Sequence, residues 1–247
     1  MIISFKILNL MKLFNIHPLA CGMLLLMSIL FLSCNKGAGD VEEVYANSIS
    51  SYYSTKLEYP VYHGVGEVEF NKEIEQYLKK QMFNIAKQSR LVCERDNEPG
   101  NLLPEMSLTY EILQQDGVYL SIRFSTYINW NNDFSPSLYY DCFNFSVKEH
   151  KFIKIQDFLI KRFSNQDKAL KALRLICEKK MFNEDEVYCK SLMKSDKDFD
   201  VFENFSITSN HLILKFDNIS LETNMCGNPE VDFTEQELKA AYSKIAD

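Results

Sequence analysis

Hydrophobic and polar residues alternate most regularly over residues 118–130. One set of alternate positions is mostly apolar: Leu120, Ile122, Phe124, Thr126, Ile128 and Trp130. The positions between them are mostly polar: Tyr119, Ser121, Arg123, Ser125, Tyr127 and Asn129. A period of two residues is typical of a β-strand with one buried face and one solvated face. The pattern therefore predicts a half-buried strand in the middle of the chain.

Two further segments flank this strand and have the same character. Asp116-Gly117 precedes it and is a strong signal for a tight hairpin, which makes Met106–Gln114 its predicted partner. Leu138–Lys148 is predicted as the third strand, with Phe143, Phe145 and Val147 on its inner face. The centre of the chain is therefore predicted to be an antiparallel meander.

An amphipathic helix is predicted before the meander, with Asn71 as its N-cap. Its apolar stripe comprises Phe70, Ile74, Leu78, Met82 and Ile85, and its lysines form a solvated face. Tyr52–Val61 is predicted as a strand, in which Pro60 indicates an edge position or a strand end. Cys93–Leu103 is predicted as a polar loop.

The second half of the chain is predicted to be helical and then to contain a hairpin. Helical spacing relates Leu170, Leu173, Cys177 and Met181, and a second short helix is expected over 184–193. A hairpin is expected from Phe205–Thr208 and Leu212–Phe216 about a turn at residues 209–211. Thr234 and Glu237 form the pattern of a capping box at the start of a last helix, with Leu238 and Tyr242 facing the core.

These elements predict an α+β fold: an antiparallel β-meander packed against an amphipathic helix, followed by a helical segment, a β-hairpin and a C-terminal helix. A chain of 247 residues with 46 % hydrophobic residues can bury a core of this kind. We expect residues 52–247 to form one domain, or two lobes covering residues 52–155 and 156–247.

The first 33 residues have the pattern of a secretory signal. Lys6 and Lys12 precede an apolar run, Leu19–Leu32, which ends at Ser33 and Cys34. This ending resembles the lipobox of bacterial lipoproteins, in which the cysteine is acylated, with palmitate among the expected acyl groups, and becomes the new N-terminus; Phe31 departs from the leucine usual there. The alternatives are an uncleaved membrane helix and cleavage before Cys21. Met11 is an alternative start.

Anchoring at Cys34 predicts an exported protein held on a bacterial membrane, at the outer face of the cytoplasmic membrane or at the outer membrane. Residues 34–51 would then be a flexible tether, because they combine Gly, Ser and acidic residues with little periodicity. The formal net charge is −7, and removing residues 1–33 with their two lysines makes it −9. Such an acidic chain is not expected to bind nucleic acid.

Two polar loops are the candidate ligand-binding surfaces, because polar loops that follow strands commonly carry binding residues. Trp130 either completes the core at the end of its strand or contacts a ligand together with the loop after it. The candidates in the two loops are Trp130, Asn131, Asn132, Asp133, Phe134 and Ser135, and Asn224, Gly227 and Asn228.

Motifs for catalysis and metal binding do not occur in the sequence. His63, His150 and His211 are the histidines after the leader, and no two have metal-ligand spacing. A nucleophile elbow and the Asp-His-His set of a metal-dependent deacetylase are also missing. His211 is expected to be an exposed turn residue. The sequence therefore predicts a non-catalytic protein without a cofactor or metal.

Five cysteines follow Cys34: Cys93, Cys142, Cys177, Cys189 and Cys226. An exported protein can form disulfides, and Cys177 with Cys189 could join two consecutive helices. An odd number cannot pair completely within the chain, so several cysteines are expected to be buried thiols.

The C-terminal region resembles one extracellular domain family. The resemblance rests on Phe205–Thr208, Leu212–Phe216, Gly227–Val231 and Glu237–Lys239, with Tyr59-Pro60 and Ile155–Phe158 in the same order upstream. This family forms the outer part of the lysozyme-sensing anti-sigma factor RsiV and the non-catalytic N-terminal region of some peptidoglycan deacetylases. The chain departs from the family at residues 132–136, which replace a Gly-Ala-His-Pro-like segment, and at Asp232-Phe233, which replace Pro-Tyr.

The resemblance implies a lipid-anchored binding module of the cell envelope, with lysozyme or peptidoglycan as candidate ligands. Two other functions stay open: an envelope enzyme acting on peptidoglycan, and a structural lipoprotein.

Overall fold

A computed structural model describes residues 26–30, 39–96, 103–130, 136–181, 199–216 and 230–245. Within these residues the larger sheet has seven strands in chain order: β1 (Leu26–Leu30), β2 (Asp40–Ile49), β3 (Ser54–His63), β4 (Glu105–Gln115), β5 (Tyr119–Asn129), β6 (Ser137–Ser146) and β7 (Lys151–Phe152). Neighbouring strands are antiparallel except β3 and β4, which are parallel.

A smaller antiparallel sheet contains β8 (Phe205–Ile207), β9 (His211–Lys215) and β10 (Glu230–Thr234), in the order β10-β9-β8. The helices are α1 (Glu67–Asp96), α2 (Ile155–Ile160), α3 (Gln166–Met181) and α4 (Glu235–Lys244), and a 3₁₀ helix covers Phe199–Phe202. This architecture confirms the predicted α+β class. No helix among these residues is long and apolar enough to cross a membrane.

The central strand has the register that its alternation predicts. The inner positions Leu120, Ile122, Phe124, Thr126 and Ile128 are all buried. β5 pairs with β4 on one side and with β6 on the other, so the predicted meander is confirmed. The carboxylate of Asp116 shapes the hairpin turn, because its Oδ1 accepts hydrogen bonds from the backbone N–H groups of Val118 and Tyr119, both at 2.7 Å.

Helix α1 packs against this buried face, and its predicted apolar stripe is confirmed. Phe70, Ile74, Met82 and Ile85 are buried, and Leu78 is partly buried. The helix continues to Asp96, so the prediction of a loop from Cys93 is wrong for residues 93–96.

The predicted N-cap of α1 is also wrong, because the helix begins at Glu67, four residues before Asn71. A turn at Gly66, whose φ of +83° is in the left-handed region that glycine tolerates, starts the helix earlier. The amide of Asn71 instead binds strand β3: it accepts from the N–H of Tyr62 and donates to the C=O of Tyr62, both at 2.9 Å. Asn71 therefore fixes the helix to the sheet.

The segment predicted as a flexible tether is a strand over residues 40–49. β2 pairs with β3 along ten residues, from Asp40 opposite His63 to Ile49 opposite Ser54. Its inward residues are Val44, Ala46 and Ser48, all buried. Small and polar inward residues weaken the alternation, and long pairing with β3 supplies the order that the local pattern does not indicate. On the other edge of β2 lies β1, which falls inside the predicted signal segment.

Pro60 occupies the edge position that its missing N–H predicts. Strand β4 pairs only with Ser54–Leu57 of β3, so Pro60 lies beyond that ladder.

The second half of the chain forms its own hydrophobic cluster. It is built from the buried side of α3, with Leu170, Leu173 and Cys177, and from α2 and the small sheet. The predicted hairpin and the capping box are confirmed: Thr234 Oγ1 accepts from the N–H of Glu237 at 3.1 Å, and Glu237 Oε2 accepts from the N–H of Thr234 at 2.7 Å. The predicted helix over 184–193 lies outside the described residues.

The small sheet covers part of the outer face of the meander, and the buried side chain of Asn144 bonds the two sheets together. Oδ1 of Asn144 accepts from Ser121 Oγ and from the N–H of Ile207, both at 2.8 Å. Its Nδ2 donates to the C=O of Phe205 at 2.7 Å. This contact explains why Ser121 is buried on the face predicted to be wet.

Candidate functional site

A cleft of about 600 Å³ opens where four segments meet, and we call it the hairpin cleft. The segments are the β4–β5 turn, the end of α2, the β8–β9 turn and the start of α4. Its lining residues are Asp116, Val118, Tyr119, Phe158, Arg162, Ile207, Thr208, Ser209, Asn210, His211, Leu212, Thr234, Glu235, Gln236 and Lys239. This volume lies within the range of small-molecule binding sites.

The guanidinium of Arg162 forms a fixed wall of the cleft. It lies over the ring of Phe158 at 3.6 Å from the ring centroid, a cation–π contact. Its Nη1 donates to the C=O of Phe158 at 3.2 Å, and its Nε donates to Glu235 Oε2 at 3.1 Å. Because Phe158 is buried in the second core, the position of Arg162 is set by that core.

Glu235 lies at the start of α4 between two cations. Its Oε1 is 2.7 Å from Lys239 Nζ, and this contact is the largest cause that lowers the pKa of Glu235. Burial opposes the shift, and the bond from Arg162 adds to it. Glu235 is therefore ionised at neutral pH, and its charge is shared between Lys239 and Arg162.

His211 and Asp232 form a second polar contact. His211 lines the cleft, and its Nδ1 lies 2.6 Å from Asp232 Oδ1. Both side chains are about half exposed, so His211 is exposed as predicted. The sequence reasoning missed the partner, because it did not predict that β10 pairs with β9 and places Asp232 opposite Ile213.

Asp116 is the carboxylate on the hairpin side of the cleft. Burial alone would raise its pKa, but hydrogen bonds from the N–H groups of Tyr119 and Val118 and from the amide of Gln114 outweigh burial, and the pKa is lowered. The Gln114 bond is 2.6 Å long and reaches the second carboxylate oxygen. Both oxygens of Asp116 are therefore engaged within the hairpin.

Three polar side chains in the cleft form no hydrogen bonds within the described part of the chain. Ser209, Asn210 and Gln236 are exposed, and none of them has a side-chain hydrogen bond to another residue in the described ranges. Thr208 Oγ1 closes the turn instead, since it bonds both the N–H and the C=O of His211 at 3.2 Å.

The predicted binding residues lie elsewhere or outside the described ranges. Trp130 is partly buried against the first core, as its core interpretation predicts. It follows the end of β5, whereas Tyr119 at the start of β5 lines the cleft, so the length of the strand, about 35 Å, separates them. The other loop candidates (Asn131, Asn132, Asp133, Phe134, Ser135, Asn224, Gly227 and Asn228) fall outside the described residues and stay predictions.

The two predictions about cysteines, a Cys177–Cys189 bridge and acylation at Cys34, also involve residues outside the described ranges. Cys177 is a fully buried thiol whose pKa burial raises, and Cys189 lies outside the described residues, so a bridge between them stays a prediction. Cys34 also lies outside them. Within the described ranges, no group of three or more His, Cys, Asp or Glu side chains is placed to hold a metal ion.

Comparison with known proteins finds similarity of fold. No protein-family model and no curated protein matches the chain. A crystal structure of a DUF3298 family protein from Pseudomonas aeruginosa PAO1 matches with a TM-score of 0.51 at 14 % identity, covering 90 % of this chain and 94 % of that one. A DUF3298 member from Bacteroides fragilis matches with a TM-score of 0.50 at 11 % identity, covering 83 % and 94 %.

The chain shares its fold with DUF3298 proteins. DUF3298 is a domain of unknown function. This finding is compatible with the resemblance of the sequence to an extracellular domain family. At this level of identity the similarity concerns the fold alone.

Proposed function

We propose that this protein is a lipid-anchored, non-catalytic binding module of the bacterial cell envelope, with peptidoglycan or lysozyme as its ligand. The observation that carries the proposal is the composition of the hairpin cleft. Its charged groups bind one another, while amide and hydroxyl groups on its rim have no partner among the described residues. Such a surface suits recognition, because it can bind a ligand without first breaking its own ion pairs.

The two candidate ligands make different demands on the protein. Lysozyme is basic, and a chain with a net charge of −9 after leader removal would attract it through long-range electrostatics. Peptidoglycan would require a concave site with hydrogen-bonding groups, which the cleft provides.

We expect the full chain, purified in detergent, to be retained on insoluble peptidoglycan or on immobilised lysozyme. Binding to lysozyme should weaken as salt rises, because exposed charges are screened beyond a Debye length. Retention on neither material would remove the binding function and favour a structural lipoprotein.

An envelope enzyme is the second candidate, and one contact favours it. The Asp232 carboxylate at Nδ1 of His211 is the arrangement that orients an imidazole as a general base. Release of soluble fragments from peptidoglycan by the full chain, abolished in His211→Ala, would establish the enzyme and overturn the non-catalytic proposal.

The proposed acylation of Cys34 can be tested separately. We expect Cys34→Ala to abolish labelling with a radioactive fatty acid and to leave the protein as uncut precursor or release it from membranes, because the acylated thiol would be missing. Cys21→Ala is the matched control and should label normally, since Cys21 marks the rival cleavage site. Continued labelling of the Cys34→Ala chain would show that the anchor lies elsewhere.

A further inference from the structure

We infer that the hairpin cleft binds an uncharged segment of glycan, and that Asn210 and Gln236 are the residues that recognise it. The inference rests on the proposed function and names the ligand class at that site. It starts from two properties of the cleft: its charges are balanced, and its unengaged groups are neutral.

The charged residues that line the cleft balance one another. Two are cations, Arg162 and Lys239, and two are carboxylates, Asp116 and Glu235. Glu235 contacts both cations, at 3.1 and 2.7 Å, and Asp116 accepts three hydrogen bonds from its own hairpin. A charged ligand would have to displace one of these partners, which costs the desolvation of the group left behind. The cleft therefore disfavours a charged ligand.

The groups that remain for a ligand are amides and a hydroxyl. Asn210 and Gln236 each carry an acceptor oxygen and a donor NH₂, and Ser209 carries a hydroxyl. Sugar hydroxyls and acetamido groups are likewise both donors and acceptors, so one sugar can bond such groups in either direction. The two amides stand on different elements, the β8–β9 turn and the first turn of α4, and both line the cleft.

Apolar and planar surface completes the match to a sugar. Val118 lines the cleft and is 50 % exposed, although it is a large hydrophobic residue at a turn. The guanidinium of Arg162, which lies over the Phe158 ring at 3.6 Å from its centroid, lines the same cleft. Pyranose rings have apolar C–H faces that pack on surfaces of this kind, with their hydroxyls directed to polar groups at the rim. The volume of about 600 Å³ leaves room for more than a single ring.

The test is calorimetric titration of the full chain in detergent with chitotetraose, an uncharged tetramer of N-acetylglucosamine. We expect saturable binding to the wild type. The double variant Asn210→Ala/Gln236→Ala should bind about tenfold more weakly, because it loses the hydrogen bonds of two amides. The matched control is Asn84→Ala/Gln76→Ala, which removes the same groups from the exposed face of α1 and should bind as the wild type does.

Salt provides the second arm of the test. Raising sodium chloride from about 50 mM to about 500 mM should change the dissociation constant less than about twofold, since no net charge meets the ligand. A change of about tenfold would overturn the assignment of an uncharged ligand. Equal affinity of the Asn210→Ala/Gln236→Ala variant and its control would overturn the assignment of the site.

The remaining outcomes separate this inference from the proposed function. Retention on peptidoglycan or lysozyme without binding of chitotetraose would overturn the glycan class and leave the envelope-binding function in place. Tighter binding of an acidic peptide than of chitotetraose would do the same. Binding of none of these materials would remove both.

Discussion

Replacing Phe124 with alanine is expected to lower the free energy of unfolding by about 3–5 kcal/mol. Phe124 is completely buried at the centre of β5 and packs against aromatic rings from α1 and β6. Its ring centroid lies 4.9 Å from that of Tyr77 and 5.7 Å from that of Phe143, and the second pair is edge-to-face. The variant leaves a cavity between helix and sheet that the rigid meander cannot close. Urea unfolding followed by near-UV circular dichroism measures the loss.

The matched control for this variant is Tyr127→Ala on the opposite face of the same strand. Tyr127 is 40 % exposed and pairs across the sheet with Leu138, so its removal should cost less than about 1 kcal/mol. Similar costs for Phe124→Ala and Tyr127→Ala, or a larger cost for Tyr127→Ala, would contradict the register of β5, because a slip of one residue exchanges the two faces.

Replacing Asn144 with alanine is expected to lower the free energy of unfolding by about 2–4 kcal/mol, the second large effect. Asn144 is buried on the outer face of β6, where it bonds Ser121 Oγ and the backbone N–H of Ile207 and C=O of Phe205. Alanine would leave the C=O of Phe205 buried without this partner, and the N–H of Ile207 with only its longer bond to Ser121 Oγ at 3.3 Å. Buried polar groups cost more to leave unpaired than their bond contributes when made. Chemical denaturation measures the loss, and amide exchange at Ile207 reports its location.

Two further variants separate the bonds from the packing at this position. Asn144→Asp keeps the acceptor for Ile207 but replaces the donor to Phe205 with a buried carboxylate oxygen that faces a C=O, so a loss at least as large as that of alanine is expected at neutral pH. Asn84→Ala on the exposed face of α1 should change stability by less than about 0.5 kcal/mol. An Asn144→Ala protein with wild-type stability and unchanged exchange at Ile207 would show that this residue does not hold the small sheet to the meander.

Elements with a strong local pattern were predictable from the sequence. The meander follows from alternation over residues 118–130 and the Asp116-Gly117 turn, and the last helix follows from Thr234 and Glu237. In each case the residues that specify the element lie within a few positions of one another. Their effect on the backbone is therefore present before any distant contact forms.

Elements that depend on a distant partner were not predictable in this way. Asp40–Ile49 is a strand because it pairs with β3 over ten residues, although its inward Ala46 and Ser48 give it the local composition of a linker. Asn71 has the identity of an N-cap, but in the tertiary structure its amide binds Tyr62 of β3 instead. Side-chain amides bond well both to a helix end and to a strand, and only the packed structure decides between the two.

The hairpin cleft likewise combines features that are local in the sequence with features that depend on distant contacts. The sequence by itself determined the turns and the helix start that carry Asp116, Asn210 and Gln236, because turn and cap signals are local. Only the tertiary structure decided that these segments meet, that β10 brings Asp232 to His211, and that Arg162 reaches Glu235. Those contacts join residues up to 73 positions apart, and local propensity does not specify which distant side chain will complete a pair.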